Sequence, residues 1–133
     1  MRFVFDFPTY MSVNKMYYIK GHGKVLTTAA RNLRARIINE TLKQLNGILT
    51  EIDKDRPIKV IIHFTSNWFT QENTIRHKDI DNPLKFLIDS VFKAIDVDDS
   101  RIFDLRVLKV QSSETELTTI DIENDTGIVY HED

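Results

Sequence analysis

Apolar residues recur at two different spacings along this chain, and the contrast limits the folds open to it. In RPIKVIIHF, residues 56–64, every second residue is apolar, which predicts a strand with one buried face. In residues 82–95 the apolar residues recur every three or four positions, which predicts a helix with one buried stripe. One short chain therefore combines strand and helix patterns, as an α+β domain does.

The N-terminal part adds a strand, a hairpin and a helix to these two elements. RFVFDF places three phenylalanines on one face of a strand, and KMYYIKGHGKVLTT predicts a hairpin that turns at Gly21 and Gly23. A helix over about residues 29–49 follows, and either Thr27 or Thr28 is suited to cap its N-terminus.

Two more strands are predicted after the second helix. RIFDLRVLKVQ and ELTTIDIE both read as strands, and we expect them to pair as a hairpin around Ser112 and Ser113. The predicted fold is therefore a single α+β domain in which a mixed sheet with hairpins packs against two main helices. We expect this domain to span residues 1–123 and the acidic tail, residues 124–133, to be frayed.

The composition excludes several classes of protein. The chain has 133 residues, which suits one domain, and no cysteine, which excludes disulfides and thiolate metal sites. No apolar run approaches the roughly 18 residues of a membrane span, so we expect no membrane association. The absence of cysteine suits a reducing cytosol, and the expected location is the cytoplasm, in association with the nucleoid. Residues 1–50 carry eight Lys or Arg against two acidic residues, although the net charge is −2. That asymmetry suits a protein that holds a polyanion, or a basic helix balanced by acidic loops.

Carboxylates are concentrated at both ends of the second helix. Asp79 and Asp81 precede it, and Asp98 and Asp99 follow it. A helix start needs only one capping side chain, for which Asn82 or, alternatively, Asp81 suffices. Carboxylates that met at about 4 Å would repel by about 4 kcal/mol per pair at a dielectric of 20. Such a cluster would persist only with cations or with raised carboxyl pKa values, and oxygen ligands are those that Mg²⁺ and Mn²⁺ prefer.

Two neighbouring features allow two interpretations each. Lys85 either stabilises charge on a phosphate beside a metal or forms an i,i+4 ion pair with Asp81 or Asp89. Trp68, with the aromatic residue after it, lies in a polar loop over residues 65–78. It either stacks on bases or anchors the loop to the domain.

Residues 76–110, RHKDIDNPLKFLIDSVFKAIDVDDSRIFDLRVLKV, resemble the core of the RusA family of Holliday-junction resolvases. The shared pattern is a basic run, D-x-D-N, a lysine four residues after the second aspartate, a helix, a D-D pair and a strand. The opening PTYMSVNKMYYIKGHGKVLTTAARNLR resembles the start of the same family, and the likeness covers most of residues 3–123.

The resemblance implies a site and a reaction. By position, Asp79, Asp81 and Asp99 match the metal-binding acidic residues and Lys85 the catalytic lysine, with Asp98 as an alternative to Asp99. Further residues are then expected to contact DNA, namely Asn14, Lys15, Tyr17, Arg76, Lys78 and Asn82. The implied protein is a homodimeric endonuclease that uses Mg²⁺, or alternatively Mn²⁺, and acts in DNA recombination and repair. It nicks two opposed strands of a four-way junction and leaves 5′-phosphate and 3′-hydroxyl ends.

Two other functions remain compatible with the residues. One is a DNA-binding protein on the same fold that does not cut. The other is a metal-dependent hydrolase of nucleotides or other small phosphate esters. The acidic set with Lys85 argues against the first, and the absence of a phosphate-cradling glycine loop argues against the second.

Overall fold

A computed structural model describes residues 1–9, 11, 13–46 and 52–132. The chain forms six strands, three α-helices and a 3₁₀ turn within these residues. In chain order they are β1 Arg2–Phe5, α1 Val13–Met16, β2 Tyr17–Lys20, β3 Gly23–Leu26, α2 Thr28–Leu45, β4 Ile58–Ser66, α3 Asp81–Ile95, the 3₁₀ turn Asp99–Arg101, β5 Ile102–Gln111 and β6 Leu117–Asn124. No helix among the described residues is long and apolar enough to cross a lipid bilayer.

Four strands form the main sheet, in the order β1-β6-β4-β5. β4 is central: it pairs parallel with β5 on one side and antiparallel with β6 on the other. β1 completes the sheet by pairing antiparallel with β6. The mixed sheet and the two main helices confirm the predicted α+β domain.

The predicted hairpin between β5 and β6 is wrong, because β4 lies between them. The chain runs from β4 through α3 to β5, and a strand, a helix and a strand in succession form a crossover that makes the two strands parallel. β6 then returns on the free side of β4. The backbone N–H of Ser112 donates to the carbonyl of Ser66, which ties the connection to the end of β4.

The alternating and helical patterns both form the core. Fully buried side chains line one face of β4, the inner positions of β1 and the stripe of α3, including Phe3, Phe5, Ile58, Val60, Ile62, Leu87 and Val91. The intervening residues of β4 are only half-buried on the opposite face of the sheet. The helices therefore cover one face of the sheet, as the sequence patterns predict.

The N-terminal hairpin and the start of α2 are confirmed. β2 and β3 pair antiparallel, and Gly21 adopts a φ of 64° in the turn, a conformation that glycine accepts without strain. Thr27 caps α2, since its hydroxyl accepts a hydrogen bond from the backbone N–H of Ala30. The helix is described to Leu45, and residues 47–49 of the predicted helix lie outside the described residues.

Candidate active site

Helix α3 presents a charged face beside its buried stripe. Asp81, Lys85 and Asp89 follow each other at intervals of four residues, so they lie on the same side of the helix. Lys85 is exposed, and Asp89 is half-buried. A regular helix thereby aligns one cation between two carboxylates.

This face of α3 borders an open pocket of about 430 Å³. The pocket lies between α3, the 3₁₀ turn and the start of β5, and its lining consists of Asp81, Leu84, Lys85, Ile88, Asp89, Asp99, Ile102, Phe103 and Leu105. Three of the predicted site residues, Asp81, Lys85 and Asp99, are therefore brought together. Asp79 is exposed just before the helix and is not among the lining residues.

The predicted capping role of Asn82 is wrong. The N-cap residue of α3 is Ile80, no side chain caps the helix, and Asp81 is already helical. The backbone N–H of Leu84 donates to the carbonyl of Ile80, which places the helix start one residue earlier than predicted. Asp81 thus sits in the first turn, where the helix dipole favours a negative charge, and Asn82 is an exposed residue of that turn.

Asp98 and Asp99 have different roles: Asp98 caps the 3₁₀ turn, and Asp99 lines the pocket. The carboxylate of Asp98 accepts a hydrogen bond of 2.8 Å from the backbone N–H of Ser100 and caps the turn. This hydrogen bond lowers the pKa of Asp98. Asp99, the next residue, lines the pocket with Lys85, whereas Asp98 does not.

Asp89 and Asp99 form a pair of interacting carboxyl groups. Burial raises the pKa of Asp89, and the negative charge of Asp99 raises it further. The charges of Lys85 and Arg34 act in the opposite direction, and a hydrogen bond with Asp99 again raises the pKa. The fold therefore holds two carboxyl groups close together beside two cations.

Asp89 and Arg34 were not predicted as site residues. Asp89 borders the main pocket and two smaller depressions, of about 200 and 290 Å³, and Arg34 borders both of the smaller ones. The sequence signal for Asp89 was its spacing of four residues from Lys85, which we interpreted only as an ion pair. No local signal identifies Arg34, because it reaches the site through the packing of α2 on α3.

The donor atoms suit a hard divalent cation. Among the described residues, no three acidic or histidine side chains converge closely enough to hold a metal ion by themselves. Mg²⁺, however, commonly binds one or two carboxylates and completes its shell with water and substrate phosphate oxygens. Asp81 and Asp99 on one pocket meet that requirement, Asp89 lies beside Asp99, and Lys85 adds a cation that a phosphate would contact.

Lys85 makes no ion pair within 4.0 Å in the described part of the chain. The i,i+4 ion pair with Asp81 or Asp89, which was the alternative interpretation of this lysine, is therefore not formed. The ammonium group stays at the pocket and can contact a phosphate.

The basic run before α3 is attached to the sheet through Trp68, which is buried. The indole N–H donates to the carbonyls of Phe64 and Val110, at 3.0 and 3.1 Å. The ammonium of Lys109 lies 4.7 Å from the ring centroid and donates to the carbonyl of Lys78. Trp68 is thus an anchor, not an exposed stacking residue.

The predicted DNA-contacting residues of the basic run take different positions. The Nε of Arg76 donates to the carbonyl of Phe69 at 3.0 Å, so one part of this guanidinium holds the loop. The ammonium of Lys78 lies 5.7 Å from the centroid of the Trp68 ring. Both side chains are half-buried, and the predicted contacts with DNA stay predictions.

The N-terminal set divides in the same way. Tyr17 lines the 200 Å³ depression together with Arg34, Lys85 and Asp89, so it joins the site. Lys15 is exposed on α1. Asn14 belongs to α1, but its side chain lies outside the described part of the chain.

The family model for Endodeoxyribonuclease RusA matches residues 6–123, nearly the whole chain. No curated protein matches the chain.

Proposed function

The chain belongs to the RusA family of endodeoxyribonucleases, and we propose that it resolves four-way DNA junctions by paired, symmetric nicks as a Mg²⁺-dependent homodimer. The family acts on branched DNA in recombination and depends in general on divalent metals. The identity of the metal, the pairing of the nicks, the ends that are formed and a role in repair belong to the proposal.

One observation carries this proposal, namely that a single pocket gathers Asp81, Lys85 and Asp99. Asp81 and Lys85 come from the first two turns of α3 and Asp99 from the 3₁₀ turn, and their positions match the motif of the resemblance. The carboxylates of the pocket suit a cation, and the ammonium of Lys85 suits the phosphate that this cation would accompany. A protein that only bound DNA would gain nothing from carboxylates beside the phosphate, because they repel it.

We propose Asp79, Asp81 and Asp99 as the residues that would hold the cation. When bound, the ion would supply positive charge at the scissile phosphate and lower the pKa of the attacking water. Asp89 contributes its carboxyl group beside Asp99, and the raised pKa of Asp89 means that this pair of groups is destabilised as long as both are charged.

Lys85 then acts on the phosphate itself. Its ammonium donates hydrogen bonds to a non-bridging oxygen, holds the phosphate in the pocket and stabilises the negative charge that develops there. The oxygen of water forms a bond to phosphorus, the bond to the 3′ oxygen breaks, and that oxygen takes up a proton. The products are a 5′-phosphate and a 3′-hydroxyl.

Binding of the junction would rest on cationic side chains around this pocket. Arg34 borders the two smaller depressions beside it, Arg76 and Lys78 precede α3, and Lys15 is exposed on the short helix α1. Asn14, Tyr17 and Asn82 complete the proposed contacts with DNA. Because phosphate contacts release counterions, binding weakens steeply as salt rises, even though the net charge is −2. We place the protein in the cytoplasm, beside the nucleoid DNA.

The test is cleavage of a mobile four-way junction whose strands carry separate labels. We expect nicks in two opposed strands with Mg²⁺ or Mn²⁺ and none with a chelator, and far less cutting of linear duplex of the same sequence. Equal cutting of the duplex would identify a general nuclease. Hydrolysis of free nucleotides without junction cutting would identify a small-substrate hydrolase, and tight binding without cutting would identify a non-catalytic protein.

A further inference from the structure

The strand beside the pocket is an edge strand with exposed apolar side chains. β5 has ten residues, and among the described strands it pairs only with β4. Phe103, Leu105 and Leu108 are 62%, 42% and 46% exposed. Long apolar edge strands are open to pairing with another chain, and proteins usually protect them by charges, bulges or covering segments.

The opposite edge of the same sheet is protected. β1 has only four residues, and the side chain of Gln44 bonds to its backbone like a neighbouring strand. The Oε1 atom of Gln44 accepts from the N–H of Val4 at 2.9 Å, and its Nε2 atom donates to the carbonyl of Val4 at 2.6 Å. The exposed edge at β5 is therefore specific to one side of the sheet.

Contacts of Trp68 limit the part of β5 that is open to a partner. The indole N–H donates to the carbonyl of Val110, and the backbone N–H of Trp68 donates to the side chain of Gln111. The end of the strand is thus held by the loop after β4. The remaining part, residues 102–108, is symmetric about Leu105.

Charges on β5 complement those of a second, antiparallel copy. Asp104 and Arg106 lie on the same face of the strand, 3.2 Å apart. When two antiparallel strands pair, each side chain lies beside a side chain of the other strand that points to the same face of the sheet. An axis at Leu105 places Asp104 of each copy opposite Arg106 of the other. If the two-fold axis passed through Asp104 or Arg106, the two copies of that residue would face each other and their like charges would repel. If it passed through Phe103 or Val107, Asp104 and Arg106 would each face an uncharged residue.

We propose that two copies of this chain pair through β5, antiparallel and with the two-fold axis at Leu105, to form one continuous eight-stranded sheet. The inference rests on the proposed function in that paired nicking needs two copies. It adds which surface joins them. Because Ile102, Phe103 and Leu105 also line the pocket, the second copy lies at its border, and the two pockets face the same side of the joined sheet.

A cysteine at the axis tests the geometry directly. The chain has no cysteine, so Leu105→Cys introduces a single thiol. Opposite residues on antiparallel strands lie about 4.5–5.5 Å apart between Cα atoms, within the usual range for a disulfide. We expect mild oxidation to convert most of this variant into a covalent dimer on a non-reducing gel.

Leu108→Cys is the matched control, because Leu108 is exposed to a similar degree on the same strand. With the axis at Leu105, the two copies of residue 108 lie six residues apart, or roughly 20 Å at about 3.4 Å per residue. We therefore expect no covalent dimer from this variant. Rapid cross-linking of Leu108→Cys without cross-linking of Leu105→Cys would overturn the proposal in favour of packing between the open faces of two sheets.

Charge reversal provides a second test that does not depend on a disulfide. Asp104→Arg alone and Arg106→Asp alone each oppose like charges across the axis, so each should weaken the homodimer by about tenfold or more. In a heterodimer of the two variants, one copy carries arginine at both positions and the other carries aspartate at both, so opposite charges face each other again. Light scattering and tagged co-purification should show that a mixture of the two regains the wild-type affinity. Dimers of unchanged affinity in both single variants would overturn the proposal.

Junction cutting by the wild-type protein separates this inference from the proposed function. If the wild-type protein cuts junctions but Leu105→Cys forms no disulfide, pairing through β5 is refuted and the proposed function stands. If Leu105→Cys forms the disulfide but the wild-type protein cuts no junction, the proposed function is refuted and pairing through β5 stands. Circular dichroism of each variant controls for loss of the fold.

Discussion

The two edges of the main sheet are built in opposite ways. β1 is short, and Gln44 bonds to the backbone of Val4 through both its amide oxygen and its amide nitrogen. β5 is ten residues long, carries exposed apolar side chains and borders the pocket of Lys85 and Asp99. The edge that lies away from the charged pocket is protected, whereas the edge beside it is left open. The difference leaves the edge beside the pocket as the one that can pair with another chain, whereas the backbone of Val4 at the β1 edge is already hydrogen-bonded within the chain.

The largest effect should come from removing the positive charge of Lys85, which lines the pocket beside β5. Lys85→Ala removes the charge that we propose contacts the phosphate, so junction cleavage should fall by about 100-fold or more. Junction binding should persist, because other basic groups supply most of the affinity. Single-turnover cleavage and a gel-shift titration measure the two effects.

The matched control is Lys43→Ala, an exposed lysine in the last turn of α2, next to Gln44. It should keep the wild-type cleavage rate. Equal losses in the two lysine variants would contradict the assignment of the chemistry to the β5 side.

Neighbouring aspartates in the 3₁₀ turn should differ nearly as strongly. Asp99→Asn removes a carboxylate from the pocket, so we expect cleavage to fall by about 100-fold and the rise in melting temperature on adding Mn²⁺ to shrink. Asp98→Asn should retain both properties, because asparagine caps a helical turn about as well as aspartate. If Asp98→Asn were the inactive variant, the two roles would have to be exchanged.

The β1 edge should respond in stability and not in activity. Gln44→Ala removes both hydrogen bonds to Val4 and should lower the free energy of unfolding by roughly 1 kcal/mol. Urea denaturation measures the loss, and Gln71→Ala in the exposed loop after β4 is the control with no expected change. Loss of junction cleavage in folded Gln44→Ala would show that the β1 edge also takes part in function.

The smallest effect concerns the carboxyl pair in the pocket. Burial and the charge of Asp99 raise the pKa of Asp89 in the folded state, so its ionised form is destabilised at neutral pH. Asp89→Asn should therefore make the metal-free protein slightly more stable at pH 7. The advantage should vanish as the pH falls below the ordinary value of 3.8, where Asp89 is protonated in both the folded and the unfolded state. Thermal unfolding at several pH values measures this difference, and a variant less stable than the wild type at pH 7 would contradict it.

Local patterns predicted the elements better than they predicted the pairing of strands. The alternation in β4 and the apolar stripe of α3 identified both elements, because burial of one face requires apolar residues at a spacing that a short stretch of sequence shows. The β5–β6 pairing failed because it depends on the crossover through α3, which no short window contains. The start of α3 was misjudged for a related reason: Asn82 is a good cap, but the backbone bond from Leu84 to Ile80 starts the helix earlier.

The candidate site was predictable where the motif or the resemblance covers its residues, including Tyr17 of the N-terminal part. Asp81, Lys85 and Asp99 were identified from the motif and lie around one pocket. Arg34 approaches from α2, more than 40 residues before Lys85, and its position depends on how two helices pack. Asp79 was predicted to share a cation with Asp81 and Asp99, but it is exposed before the helix and does not line the pocket with those two residues.

The central claim is that two equivalent sites act together on one junction, and a supercoiled plasmid that extrudes a cruciform tests it most directly. Two nicks made within the lifetime of one complex convert the plasmid directly into linear product, whereas independent nicks first accumulate the nicked circle. We predict that linear product forms from the start of the reaction with Mg²⁺. Quantitative accumulation of nicked circle before any linear product would contradict the account.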